Sequence, residues 1–132
     1  MKRYLFAGLI LVTMAFLLAC GFSVSTANIQ NVRMARDAEG NDPTTVFAPN
    51  ETFHCVGELR NAPDDTTLKA VWIATNVEGV SPDFFIDESE LTSGSGTFHF
   101  QLSNDTPWPA GDYRVELYLN GELETTLEFE VR

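Results

Sequence analysis

Basic residues are scarce in this chain: eight Lys and Arg stand against 19 Asp and Glu in 132 residues, for a formal charge of −11. A phosphate-backbone ligand needs Lys and Arg gathered on one face, so nucleic acid is excluded as the expected partner. Histidine occurs only twice and cysteine only twice. With two His and no Gly-x-Ser-x-Gly motif, a hydrolytic triad has little support. Helical periodicity is missing as well, because no segment from residue 29 onward repeats its apolar residues every three to four positions. The scarcity of bases does not signal disorder, since charged residues make up 20% and Phe occurs ten times. That composition buries too much apolar surface for a disordered acidic tail.

One long apolar run is present. Lys2 and Arg3 precede the nearly unbroken stretch from Tyr4 to Ala19, the charge-then-apolar order of an export signal. A membrane-spanning helix needs about 20 apolar residues, and this run stops at Ala19-Cys20-Gly21. Leu17-Leu18-Ala19-Cys20 resembles the lipobox of bacterial lipoproteins. The resemblance implies a diacylglyceryl thioether on Cys20, cleavage before it, and a further acyl chain on the new amine. Each buried CH2 contributes about 0.8 kcal/mol, so two or three chains hold a protein on a bilayer where one does not. Gly21 is not the aspartate that retains lipoproteins in the inner membrane of some diderm bacteria. The expected localisation is extracytoplasmic, anchored to membrane lipid through acylated Cys20.

The expected organisation is therefore a signal peptide over 1–19, a lipidated cysteine and tether over 20–28, and one domain over 29–132. Without Lys2 and Arg3, six bases face all 19 acids, a net charge of −13. Such an excess repels anionic head groups and keeps the domain off the membrane surface. If Cys20 carries lipid, Cys55 is the one remaining thiol and no internal disulfide forms.

From residue 29 the apolar residues alternate with polar ones, and Gly, Pro, Asn and Asp clusters interrupt them about every ten residues. Strands are predicted over Ile29 to Met34, Thr44 to Phe47, Thr52 to Leu59, Leu68 to Thr75, Thr97 to Leu102, Asp112 to Leu119 and Thr125 to Val131, with a short segment at Phe84-Phe85-Ile86. Phe53, Cys55, Gly57 and Leu59 share one face, as do Leu68, Ala70, Trp72 and Ala74, and Phe98, Phe100 and Leu102. Asn120-Gly121 suits a tight type I′ hairpin turn.

Seven to eight short strands in about 100 residues predict an all-β sandwich. Cys55, Trp72 seventeen residues later, and Gly111-Asp112-Tyr113-Arg114-Val115 resemble the immunoglobulin fold. There a cysteine on strand B, a tryptophan on strand C and a tyrosine at the start of strand F mark the core. Val115 stands where the second cysteine would be, so the resemblance implies a sandwich without its inter-sheet disulfide. Trp108 to Gly121 is also similar to the end of small immunoglobulin-like domains on bacterial surface proteins. This fold carries no inherent chemistry.

Catalytic residues are not expected. His54 and Cys55 are neighbours on a strand and point to opposite faces, so they form no nucleophile and base pair. Asp64-Asp65 and Asp87-Glu88 fall in turns or at strand ends and read as solvated acids. No cofactor is implied. Neighbouring strands B and E in such a sandwich would bring His54 and His99 together on an outer face, two of the three or four ligands of a zinc or copper site, with Glu58 or Gln101 nearby. The opposite sheet presents Val71, Ile73, Arg114 and Tyr118 outward with Glu116 among them, an apolar patch containing the Tyr and Arg that interfaces favour. One of Phe84 and Phe85 would extend it. The alternative is that loop Val77 to Ser93 folds over this face and hides it. The expected function is a lipid-anchored, non-catalytic protein-binding or accessory module with an envelope protein as partner. The alternative is a small-solute or metal-binding lipoprotein.

Overall fold

The computed structural model describes residues 26–132, so the lipobox and the signal segment lie outside the described residues. The fold is an all-β, immunoglobulin-like sandwich of eight strands. They are β1 (Asn28–Ala35), β2 (Val46–Phe47), β3 (Phe53–Arg60), β4 (Thr66–Val77), β5 (Phe84–Ser93), β6 (Gly96–Leu102), β7 (Gly111–Leu119) and β8 (Glu122–Val131). One sheet has the order β1-β3-β6 and the other β2-β8-β7-β4-β5.

The alternation read from the sequence is what closes the sandwich. Side chains of one parity point inward from each sheet, and Cys55, Leu59, Leu68, Ala70, Trp72, Phe98, Phe100, Val115 and Leu117 meet in a single core. Phe53 is its hub: its ring centroid lies 5.0 Å from that of Phe47 and 4.7 Å from those of Trp108 and Phe129. Trp72 and Val115 are paired in register on β4 and β7, and both are fully buried. Apolar packing thus fills the place that a disulfide takes in other sandwiches of this type. Tyr113 donates its hydroxyl to the Pro109 carbonyl at 2.6 Å, the tyrosine corner that the resemblance implied. Gly111 precedes it with φ +146°, and a Cβ there would sit 2.6 Å from the Asn76 carbonyl. The chain needs glycine at this crossing.

Four expectations change. First, Asn28, expected in the tether, opens β1 and pairs with Arg60. Second, the strands of such a sandwich are expected to pair antiparallel throughout, yet Val46 and Phe47 run parallel to Glu130 and Val131. Third, β2 is only two residues long, because Thr44 uses its hydroxyl to accept from the Val46 amide and donate to the Val46 carbonyl instead of extending the ladder. Fourth, most of the stretch expected as loop Val77 to Ser93 is the ten-residue strand β5, paired with β4 from Thr66↔Ser93 to Ala74↔Phe84. Its acids hid it, since Asp87, Glu88 and Glu90 give an edge strand little apolar alternation to read.

Candidate functional site

Because β5 lies beside β4 and not over it, the outer face of the five-stranded sheet stays uncovered by that segment. Register places Ile73 between Arg114 and Phe85, Val71 between Glu116 and Glu88, and Lys69 between Tyr118 and Glu90. Strands β4 and β7 thus assemble the four residues expected to form a face, Val71, Ile73, Arg114 and Tyr118. Phe85 is the phenylalanine that extends it. Phe84 lies opposite inward-facing Ala74, yet both rings are exposed, at 47% and 53%. A bulge between Trp72 and Ile73 in the β4–β5 ladder shifts the parity and brings Phe85 to the Ile73 side.

The face is more occupied by its own side chains than the sequence suggested. Ile73 is 9% exposed. The Arg114 guanidinium donates to Asp83 at 2.7 Å, to Glu116 at 3.0 Å and to the Thr75 hydroxyl at 3.1 Å. Asp83 is held for this role at φ 56° in the loop before β5. These bonds, first that to Asp83, raise the Arg114 pKa further above its ordinary value. Tyr118 donates its hydroxyl to Glu116 at 3.0 Å, which pushes its own pKa up, and the Lys69 ammonium lies 5.0 Å from its ring centroid. Polar side chains are therefore fixed around an apolar strip of Val71, Ile73 and Phe85. Preset side chains lose less freedom when a partner docks.

On the other sheet, His54 and His99 do meet, though not as directly opposed residues. His54 is in register with Gln101 and His99 with Val56, so the two imidazoles join on the diagonal. His54 Nδ1 lies 2.8 Å from His99 Nε2. The centroids are 5.1 Å apart with planes 20° from parallel, a separation that equals the N···N distance plus one ring radius at each end. The rings therefore lie head to head about a shared in-plane proton and are not stacked face to face. One nitrogen donates and the other accepts. Partial burial, and next the nearby His99, lower the His54 pKa, against Asp37 and Glu39, which raise it. Glu58 is diverted from this pair, since it accepts from Asn31 and Arg60. Among the described residues no group of three His, Cys, Asp or Glu converges on a metal position.

Cys55 is fully buried, and burial pushes its thiol up to about 12. A thiol held protonated in the core is no nucleophile. Asp64 and Asp65 lie in the exposed turn before β4, and Asp87 and Glu88 on the exposed β5. The sequence did not single out Asp83 or Lys69, which hold the face together. The only signal for either was charge opposite charge, which requires the register to be known.

No family model matches the chain, and no curated protein matches it in sequence. Solved structures do match its fold. An immunoglobulin-like protein of Pseudomonas aeruginosa superposes with a TM-score of 0.58 at 17% identity, over 83% of this chain and 99% of that one. The alkylpurine DNA glycosylase of Pseudomonas fluorescens, solved bound to DNA containing an abasic site analog, superposes with a TM-score of 0.55 at 15% identity, over 82% of this chain and 31% of that one. A β-glucosidase of Listeria innocua gives 0.52 at 14% identity, over 84% of this chain and 17% of the enzyme. This chain therefore spans about a third or less of either enzyme. At these identities the likeness is one of fold.

Proposed function

We propose that the protein is a lipid-anchored, extracytoplasmic bacterial lipoprotein whose immunoglobulin-like domain acts as a non-catalytic protein-binding or accessory module at the cell envelope. The observation that carries the binding role is the strip of Val71, Ile73 and Phe85 on an open sheet face, with Arg114 and Tyr118 locked beside it. The sequence Leu17-Leu18-Ala19-Cys20 supports the anchor. Acyl chains on Cys20 would keep the domain within tether reach of the membrane and raise its effective concentration near a surface partner. A non-catalytic role is supported by the burial of Cys55, the one cysteine among the described residues.

The test is a mild-detergent pull-down from native membranes with a C-terminally tagged chain, alongside Cys20→Ala and Tyr118→Ala. Recovery of one specific protein that is lost with Tyr118→Ala supports the reading and locates the face. Cys20→Ala should move the protein out of the membrane fraction. If nothing specific is recovered, the partner-protein reading fails.

A second reading starts from the meeting of His54 and His99 on one face: a transition-metal ion that replaces the proton between them as the two rings draw apart, with water completing its shell. Stoichiometric copper or zinc binding that disappears in His99→Ala supports it. Equal binding by that variant ends it.

A further inference from the structure

We infer that the free edge of β5 receives an extended, basic segment of another protein, which adds to the five-stranded sheet as a sixth strand. This deepens the binding reading above by naming the chemistry of the partner. Among the described residues β5 ends the sheet order and pairs only with β4, so its other side offers backbone donors and acceptors, although the Glu88 amide already donates to the Asp87 carboxylate at 2.8 Å. Edges of this kind are usually blunted by Pro, by charged side chains or by a bulge, and the acids of β5 protect it in this way against a like-charged strand but not against a basic one. Here the ten residues Phe84–Ser93 include no Pro, Lys or Arg. The bulge sits at one end, between the Phe85 and Asp87 pairings, leaving Asp87 to Ser93 in unbroken register with Trp72 to Thr66. Seven consecutive residues are enough for a strand-addition site.

Charge selects the occupant. Asp87, Glu88 and Glu90 face one base, Lys69, which lies opposite Glu90 and reaches Glu88 at 3.8 Å. Three carboxylates against one ammonium leave this edge with an excess of negative charge. A second copy of β5 is a poor partner: an antiparallel pair centred on Glu88, Ser89 or Glu90 sets Glu88 against Glu88, Glu88 against Glu90, or Glu90 against Glu90. Like charges directly opposed across strands are destabilising. Nor does any described segment of this chain carry two bases at alternate positions. The matching strand has Lys or Arg at positions i and i+2 to face Glu88 and Glu90. At its Phe85 end it has an apolar residue, because Phe84 and Phe85 are both half exposed there.

Two probes test this with the full-length lipidated chain in detergent: a short peptide alternating lysine with valine, and its counterpart alternating glutamate with valine. The lysine peptide should shift the amide resonances of Phe84–Ser93, with affinity falling about tenfold from low to high salt as the charges are screened. Glu88→Lys/Glu90→Lys should reverse the preference between the two peptides. Shifts elsewhere, equal binding of both peptides, or no binding at millimolar peptide overturn the edge assignment. So does concentration-dependent broadening confined to β5 without peptide, which would make a second copy the occupant. If Tyr118→Ala abolishes peptide binding, the peptide lies on the broad face: the edge assignment then falls while the binding-module reading stands. Peptide binding at β5 with an empty pull-down would separate the two the other way.

Discussion

His54 shows how a single residue links a face to stability. Its pKa is lowered in the folded state, first by partial burial and then by His99, so the unfolded chain takes up a proton at higher pH than the folded one. The stabilisation this gives is complete above the ordinary value of 6.5 and is lost as pH falls through the lower folded value. We expect the denaturant midpoint to fall between about pH 7 and pH 5.5, and to fall less in His54→Gln. Equal slopes in the two proteins would mean that the pair is not linked to folding. Asp37 and Glu58 act in a lower window. Asp37 accepts from the Asn41 and Asp42 amides and Glu58 from Asn31 and Arg60, which hold both carboxyls below their usual range. Their contribution persists above the unfolded carboxyl values and disappears as pH drops through the folded ones.

Among the elements, the β7–β8 hairpin is the most strongly determined by local chemistry. Asn120 and Gly121 take φ of 49° and 85°, and both must be positive in a type I′ turn. The tip is also tied sideways, since the Asn120 amide donates to the Thr67 carbonyl and its side-chain oxygen accepts from the Thr67 amide. A Cβ on Gly121 would meet nothing within 4 Å, so a substitution there is strained by φ alone. Gly121→Val should cost about 1–3 kcal/mol in chemical denaturation, and Gly121→Asn much less, because Asn tolerates positive φ. Equal losses would show that the side chain, not the backbone, sets the cost. β5 behaves in the opposite way: neither its composition nor its turns announce a strand. It forms because β4 runs two residues past each end of the predicted Leu68 to Thr75 segment and offers an edge from Thr66 to Ala74.

For the whole molecule, the dominant quantity is charge. Six bases face 19 acids over the described residues, and pairs such as Arg36–Glu51, Arg60–Glu58 and Arg132–Glu130 are at the surface, where each contributes little. Repulsion spread over the surface outweighs them. The melting temperature should therefore rise as salt is added up to a few tenths molar, where the screening length drops below about 10 Å. A fall would mean that the surface ion pairs matter more than the net charge. The same excess of acid favours basic partners for the open edge and keeps β5 from pairing with itself.

The sequence alone determined the sandwich and its inward-facing residues, because alternation with period two and positive-φ turn residues act over a few neighbouring positions. Cys55, Trp72 and the Asn120-Gly121 turn could be read this way, whereas the tyrosine corner at Tyr113 came from the resemblance to the immunoglobulin fold. Only the tertiary structure decided which strands are neighbours and in what register, since that depends on pairing between residues far apart in the chain. It turned most of the supposed loop Val77 to Ser93 into an edge strand, joined His54 to His99 on the diagonal, and brought Asp83 and Glu116 to Arg114. The face and its free edge exist because of that register, and no local pattern encodes it.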